Sequence, residues 1–295
     1  MKRVKVNRIW KMLNIIANVK SGRGRGIRNT HKVVKYCVNH GIPFALHITN
    51  KVGHATELAR DLTKNGGTIV ALGGDGTFHE VLNGIVDMEN TTLGFIPSGR
   101  GNDFVRSLGC SLDPIKALED VLRGETRQID YIQVNDKRCL NVCGTGLDVS
   151  VLRGVEGKTN KISYIFSLIH CLRTFTSYHL TVKVNGETHV FDCIMVGVAN
   201  GVAFGGNIRL APIAKLDDGK LDVIVMQYPA DGKIMKVLPK FIKGKHMNLP
   251  ITHHFVCEEV SVEGDYPVEL DGEIYENLKL DCKVVKNGLR TFVVK

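Results

Sequence analysis

Acidic residues are missing from the first 56 positions of this 295-residue chain; the first is Glu57. That stretch holds 12 Lys or Arg, while the other 27 basic residues face all 30 acids. The net charge of +9 is therefore concentrated at one end. Nucleotide phosphates, nucleic acid and an anionic membrane are each compatible with such a field. Aromatics are scarce at 6%, with one tryptophan, and few interleave with the basic residues. With no docking motif either, this argues against nucleic acid. No apolar run reaches the length of a membrane span. The start is basic and then apolar, as in a signal peptide. However, Lys11 interrupts the apolar part and Asn18–Gly22 is no small-residue cleavage site, so a strand over Met12–Ala17 is expected instead. No CxxC pair is present among the eight cysteines. Only Cys139 and Cys143 are close, at a spacing unlike a zinc pair, which points to free thiols in a reducing cytoplasm. His253 and His254 lack companion ligands for a metal. There is no internal repeat and no low-complexity linker.

What is present is ordinary globular composition, 43% hydrophobic and 23% charged. Up to about residue 126, strand and helix patterns alternate. Strands are expected at Met12–Ala17, Pro43–Thr49, Thr68–Leu72 and Thr92–Ile96. Helices are expected at Arg28–Asn39, Gly53–Asn65, Phe78–Val86, Phe104–Leu108 and Ile115–Leu122. Such alternation predicts a parallel sheet covered on both faces, with ligands beyond the carboxyl ends of its strands. From about Arg127, short alternating segments predict a mostly antiparallel β domain: Gln128–Val134, Arg138–Val142, His179–Val184, His189–Ala199, Leu221–Tyr228, His254–Val262, Tyr266–Leu270 and Leu278–Val285. Two helices interrupt it, an apolar one at Lys161–Phe175 and a lysine-rich amphipathic one at Gly232–Lys243. The latter suits a membrane surface or an ordinary surface helix packed on a sheet.

The most informative residues are Gly73, Gly74, Asp75, Gly76 and Thr77. They join an apolar strand pattern to an amphipathic helix pattern, and Thr77 with Glu80 has capping-box spacing. A glycine-rich turn feeding a helix N-terminus presents N–H groups and a positive dipole end to an anion. Asp75 would repel phosphate unless a divalent cation lay between, so the loop suggests phosphoryl transfer with Mg²⁺. Asp-Gly is also a common hairpin turn, and that reading stays open for the loop by itself.

Five motifs in order then resemble the diacylglycerol kinase catalytic-domain class of lipid kinases, especially the stand-alone bacterial type, with sphingosine kinases as distant relatives. They are Asn18–Gly22, which departs from the family pattern at its proline; Gly73–Gly84; Pro97–Phe104; Asn200–Asp222; and Leu270–Glu273. The resemblance covers nearly the whole chain. It implies an α/β N-terminal domain with a parallel sheet (1–126), a mostly antiparallel β-sandwich C-terminal domain (127–295), and an active site in the cleft between them. It implies ATP with its phosphates on the Gly73–Thr77 loop, contacted by Asn18, Ser21, Gly22, Thr49, Gly73, Gly74, Asp75, Gly76, Thr77, Glu80, Ser98, Gly99, Arg100, Asn102 and Asp103. Asp75, Asp103 and Asp130 look like organisers of the catalytic Mg²⁺. The Lys215–Lys220 stretch looks like a structural Mg²⁺ loop, with the Asp218 carboxylate, the carbonyls of Lys215 and Lys220, and Asp217 beside it. Asp271 resembles the general base and Glu273 its support.

These features imply an ATP-dependent lipid kinase, with diacylglycerol the leading acceptor and phosphatidic acid the product. It would work in the cytoplasm at an anionic inner membrane surface, without nucleic acid; a homodimer is left open. Two alternatives remain: an NAD kinase-like or other small-molecule kinase, and a non-catalytic nucleotide- or lipid-binding regulator. The Asn102–Phe104 and Leu270–Glu273 motifs favour the lipid branch over the former. The presence of Asp75, Asp103, Asp130, Asp218 and Asp271 disfavours the latter.

Overall fold

A computed structural model of the chain describes residues 12–147, 149, 175, 177–232 and 234–294. Four strands, β1 (Leu13–Ala17), β2 (Phe44–Ile48), β3 (Gly67–Gly73) and β4 (Thr91–Pro97), pair in parallel in the order β2-β1-β3-β4. Consecutive residues of β3 and all of β4 are buried, so both faces of the sheet are covered. The covering helices are α1 (Arg25–His40), α2 (His54–Leu62), α3 (Asp75–Gly84), α4 (Asp103–Leu108) and α5 (Pro114–Arg123). α2 packs closely on α3, because Gly84 has no side chain. A Cβ there would lie 2.4 Å from the Thr56 carbonyl and 2.7 Å from Ala59 Cβ. The strand order reverses between β1 and β3, and a crevice opens beyond such a point.

The second half is built from β5 (Thr126–Val134), β6 (Lys137–Cys139), β7 (Val142–Gly146), β8 (Tyr178–Val184), β9 (Glu187–Ala199), β10 (Leu221–Gln227), β11 (Thr252–Cys257), β12 (Glu259–Glu263), β13 (Val268–Leu270), β14 (Glu273–Tyr275) and β15 (Leu280–Phe292). Neighbours here pair antiparallel around a separate core that includes Ile132, Val182, Val196, Val198, Val223 and Leu270. This is the two-domain architecture expected. β15 also returns to the first sheet: Arg290 and Thr291 pair in parallel with Thr92 and Leu93 of β4, while β5 runs antiparallel along β15.

Three expected elements are divided or broken. The single strand expected at Arg138–Val142 is two, β6 and β7. Between them, Leu140 and Asn141 donate their backbone N–H groups to the Asp271 carboxylate instead of a ladder. The strand expected at His254–Val262 divides into β11 and β12 at Glu258, whose carbonyl bonds to Val284 N. The helix expected at Gly232–Lys243 is a 3₁₀ turn, Ile234–Lys236, and a short helix, Leu238–Ile242, with Pro239 in its first turn. Proline has no N–H to continue a longer helix. The helix expected at Lys161–Phe175 lies, apart from Phe175, outside the described residues.

Candidate active site

Three glycine-containing loops leave the carboxyl ends of β1, β3 and β4, and hydrogen bonds join them into one floor. Asn18 N donates to the Leu72 carbonyl (2.9 Å), and its side-chain amide donates to Thr77 Oγ1 (3.2 Å). Ser21 and Ser98 share a hydroxyl–hydroxyl bond of 2.5 Å. Ser98 N and Gly99 N both donate to the Gly73 carbonyl, at 2.6 and 3.1 Å. Gly22 lies against Ser98, and Thr49 is buried beyond β2 with its N–H on the Ala17 carbonyl. Asn102 is buried with positive φ at the start of α4, and its amide donates to the Gly99 carbonyl. Arg100 is exposed at the rim; desolvation, then the charges of Arg23 and Arg25, hold its guanidinium below its ordinary pKa.

The capping box expected from Thr77 and Glu80 is absent. Gly74 is the N-cap of α3, with Phe78 N on its carbonyl, and Thr77 lies inside the first turn. Glu80 faces α2 instead. Its two oxygens accept from Gly53 N (3.0 Å) and Ala55 N (3.1 Å), so it caps a neighbouring helix. Spacing within one segment cannot show that a better donor pair waits on another.

A cavity of about 150 Å³ lies between the two halves. Its lining includes Asp75, Asp103 and Phe104 from the first half, and Asn141, Glu269 and Asp271 from the second. Asp75 accepts from Phe104 N at 3.2 Å. Burial, then the Asp103 charge, push its carboxyl up to about 7, with Asp271 adding to the shift. Asp103 reaches across the cleft: its oxygens accept from Gly206 N (2.8 Å) and Asn207 N (2.6 Å). Glu273 lies over the first turn of α3, where a Cβ on Gly76 would be 2.7 Å from its Oε1.

Asp271 follows β13 at a positive φ of 52°, and its side chain is 3% exposed. Oδ1 accepts from Asn141 N (2.9 Å) and faces the Cys139 thiol (3.2 Å). Oδ2 accepts from Leu140 N (2.9 Å) and lies 2.9 Å from His79 Nδ1. A carboxylate so held, lining an interdomain cavity, has its position fixed before any substrate arrives.

Asp130, expected with the catalytic acids, and Asp217, expected beside the Lys215–Lys220 loop, are not among the residues lining this cavity. Asp130 is 1% exposed, and its oxygens accept from Gly219 N and Asn287 N, both at 2.7 Å. It anchors the Lys215–Lys220 loop, whose Leu216 carbonyl accepts from Asp130 N. Within that loop Asp218 Oδ1 accepts from Lys220 N (3.0 Å), and Asp217 faces Arg127 at 4.0 Å. The loop offers one carboxylate and backbone carbonyls. Among the described residues, no group of three or more His, Cys, Asp or Glu side chains is gathered as a metal cage.

Four residues around Asp271 are not expected from the sequence: Cys139, Glu269, Tyr275 and His79. His79 lies inside the Gly73–Gly84 motif, four residues after Asp75 and so on the same helix face. That spacing was the signal available for it. For Tyr275, Glu269 and Cys139 no local pattern exists.

A strand-loop-helix floor facing a carboxylate from a β domain defines a two-domain kinase architecture. Residues 12–134 match the diacylglycerol kinase catalytic domain, and residues 141–293 match the YegS C-terminal NAD kinase beta sandwich-like domain. The chain belongs to this diacylglycerol kinase and YegS-like family of kinases. It is 29% identical to a diacylglycerol kinase of Bacillus subtilis, over 89% of this chain and 90% of the relative. It is 28% identical to a probable YegS-like lipid kinase of Chromohalobacter salexigens, over 90% and 88%. A crystal structure of a putative diacylglycerol kinase from Bacillus anthracis superposes with a TM-score of 0.78 at 25% identity, covering 96% of this chain and 97% of that one.

Proposed function

We propose that the protein transfers the γ-phosphoryl group of ATP to a lipid hydroxyl, with diacylglycerol the first acceptor to test. The observation that carries this is the shared cavity. Asp75, beside the glycine floor, and Asp271, on the opposite domain, line the same 150 Å³ space. A phosphoryl donor on the floor would meet an acceptor hydroxyl at the carboxylate. Asp271 would take the proton of that hydroxyl as it attacks, which is general-base catalysis. Backbone N–H groups of the three loops, with Ser21, Thr77 and Ser98, would hold the phosphates. Glu273, over the first turn of α3, would support the acceptor side.

Asp75 fits a divalent cation: burial, then the charges of Asp103 and Asp271, raise its proton affinity, and a cation would relieve that repulsion. Mg²⁺ would neutralise charge developing on the transferring phosphoryl group. Asp103 and Asp75 would hold it. The Lys215–Lys220 loop, with Asp218, suits a second, structural Mg²⁺. Asp130 and Asp217 act on that loop rather than on the reacting atoms. Among the described residues no helix is long and apolar enough to cross a membrane. Contact with a lipid surface would therefore use the exposed Lys20, Arg23, Arg25 and Arg28 around exposed Ile27.

The test is ATP-dependent labelling of a panel of diacylglycerol, sphingoid base, glycolipid and NAD by wild type and Asp271→Asn. Labelled diacylglycerol with wild type and a loss of about 10²-fold or more in the variant is expected. Labelling of NAD alone would replace the lipid reading. No labelling at all would overturn the kinase assignment of this site.

A further inference from the structure

His79 meets Asp271 from the opposite domain, and Tyr275 lies behind it. His79 Nδ1 lies 2.9 Å from Asp271 Oδ2, and His79 Nε2 lies 2.9 Å from Tyr275 Oη. The imidazole is 4% exposed. An ionised carboxylate only accepts hydrogen bonds, so the Nδ1 position carries the hydrogen. In the neutral ring Nε2 is then an acceptor, and the Tyr275 hydroxyl supplies its proton. Burial, then the Glu273 charge, push the Tyr275 phenol up to about 12, which keeps it a donor at any working pH. The nearby Asn83 amide, 3.4 Å from Nε2, has closer acceptors in the His79 and Arg138 carbonyls at 2.9 and 2.8 Å.

We infer that His79 is a positioning residue for Asp271, locked by Tyr275 in the Nδ1–H form, and that it ties the base to the helix that opens at Asp75. This rests on the reading of Asp271 as the base. The other three donors near Asp271, Cys139, Leu140 and Asn141, all come from the β domain. Among the described residues, His79 is the one side chain of the α/β domain that hydrogen-bonds to Asp271. It stands one turn along α3 from Asp75, so one rigid helix sets both the donor-side acid and the acceptor-side base. Without His79 the carboxylate keeps its backbone amides but loses its registry to the phosphate floor.

The experiment compares His79→Leu, His79→Asn, Tyr275→Phe, the double variant His79→Asn/Tyr275→Phe, and Asp271→Asn as reference. Asparagine keeps an N–H near the Nδ1 position, whereas leucine keeps none. With the acceptor identified by the panel, His79→Leu is expected to lower kcat by about 10–100-fold with KM for ATP unchanged. His79→Asn restores most of the rate, and Tyr275→Phe lowers it less than His79→Leu does. In the His79→Asn background, Tyr275→Phe changes nothing further, because no tautomer remains to be locked. Long-range ¹⁵N–¹H spectra, with His79→Asn identifying the signal, should show the Nδ1–H form in wild type and a tautomer mixture in Tyr275→Phe. An Nε2–H form in wild type would overturn the inference without any activity measurement. If Asp271→Asn is inactive while His79→Leu matches wild type, the positioning role fails and the base survives. If Asp271→Asn is itself fully active, the base reading fails. Equal loss in His79→Leu and His79→Asn with lowered thermal stability would show a packing role and would also overturn it.

Discussion

Gly74 and Gly99 meet backbone to backbone at the floor of the cleft. A Cβ on Gly99 would lie 2.4 Å from Gly74 Cα, and one on Gly74 would lie 2.9 Å from Gly99 Cα. Two loops from adjacent strands can approach this closely only because both residues lack side chains. Gly99→Ala must push the loops apart, at a cost of about 1–3 kcal/mol. Thermal unfolding should show that loss, and KM for ATP should rise because the phosphate floor is widened. An unchanged KM would separate Gly99 from nucleotide binding.

The Asp75 carboxyl, pushed up to about 7, makes stability depend on pH. In the unfolded chain this group ionises near pH 4; in the folded protein it holds its proton until about pH 7. Its folded-state pKa is raised, so between these values the folded state binds the extra proton. The penalty is absent below pH 4, grows as pH rises, and is complete above pH 7, on the order of 4 kcal/mol. Asp75→Asn should therefore raise the Tm at about pH 8 and leave it nearly unchanged at pH 4, while abolishing turnover. MgCl₂ should raise the Tm of wild type at the higher pH and do much less for the variant.

Glu80 separates a helix cap from a nucleotide contact. Removing its carboxylate in Glu80→Ala leaves Gly53 N and Ala55 N without their acceptors. Urea denaturation should show about 0.5–2 kcal/mol of lost stability. KM for ATP should stay at the wild-type value; a large rise would return Glu80 to the nucleotide site.

Asp130 should behave as a structural acid. Asp130→Ala strips the acceptor from the buried Gly219 N–H and from the Asn287 N–H at once and should cost about 1–3 kcal/mol in chemical denaturation. Addition of Mg²⁺ should not restore the loss, whereas a direct ligand role would make the deficit depend on Mg²⁺.

Flotation with vesicles tests the basic face. Binding should require anionic lipid and weaken as salt rises from about 0.05 to 0.5 M, because screening shortens the reach of Arg23, Arg25 and Arg28. Replacing these three with glutamine should abolish the salt dependence. Binding indifferent to salt would instead point to an apolar contact.

The α/β half was legible because its signals are local. Each strand is a short apolar run, each helix has a 3.6-residue apolar period, and the glycine loops follow strands. The Gly73–Thr77 loop sits at the strand-to-helix corner that its flanking patterns imply, but Glu80 caps α2 instead of pairing with Thr77. In the β half, Arg138–Val142 looked like one strand, since alternation shows which residues face inward and says nothing about a carboxylate elsewhere. Only Asp271, across the fold, turns Leu140 and Asn141 out of the ladder. The resemblance puts Asp130 among the acids of the catalytic centre; in the structure its oxygens accept from Gly219 N and Asn287 N, which no local pattern announces.

By itself the sequence determined the order of elements, the glycine floor and the acids available for chemistry, because backbone propensity and motif spacing act over a few residues. The tertiary structure decided which acids share a cavity. It gathers Asp75, Asp103, Glu269 and Asp271 around one cavity, and it sets Asp130 against Gly219 and Asn287 and Glu80 against Gly53 and Ala55. It also sets His79 between Asp271 and Tyr275, 192 and 196 residues further along the chain. Hydrogen bonds act over about 3 Å, and only packing of the two domains brings groups so distant in sequence to that range.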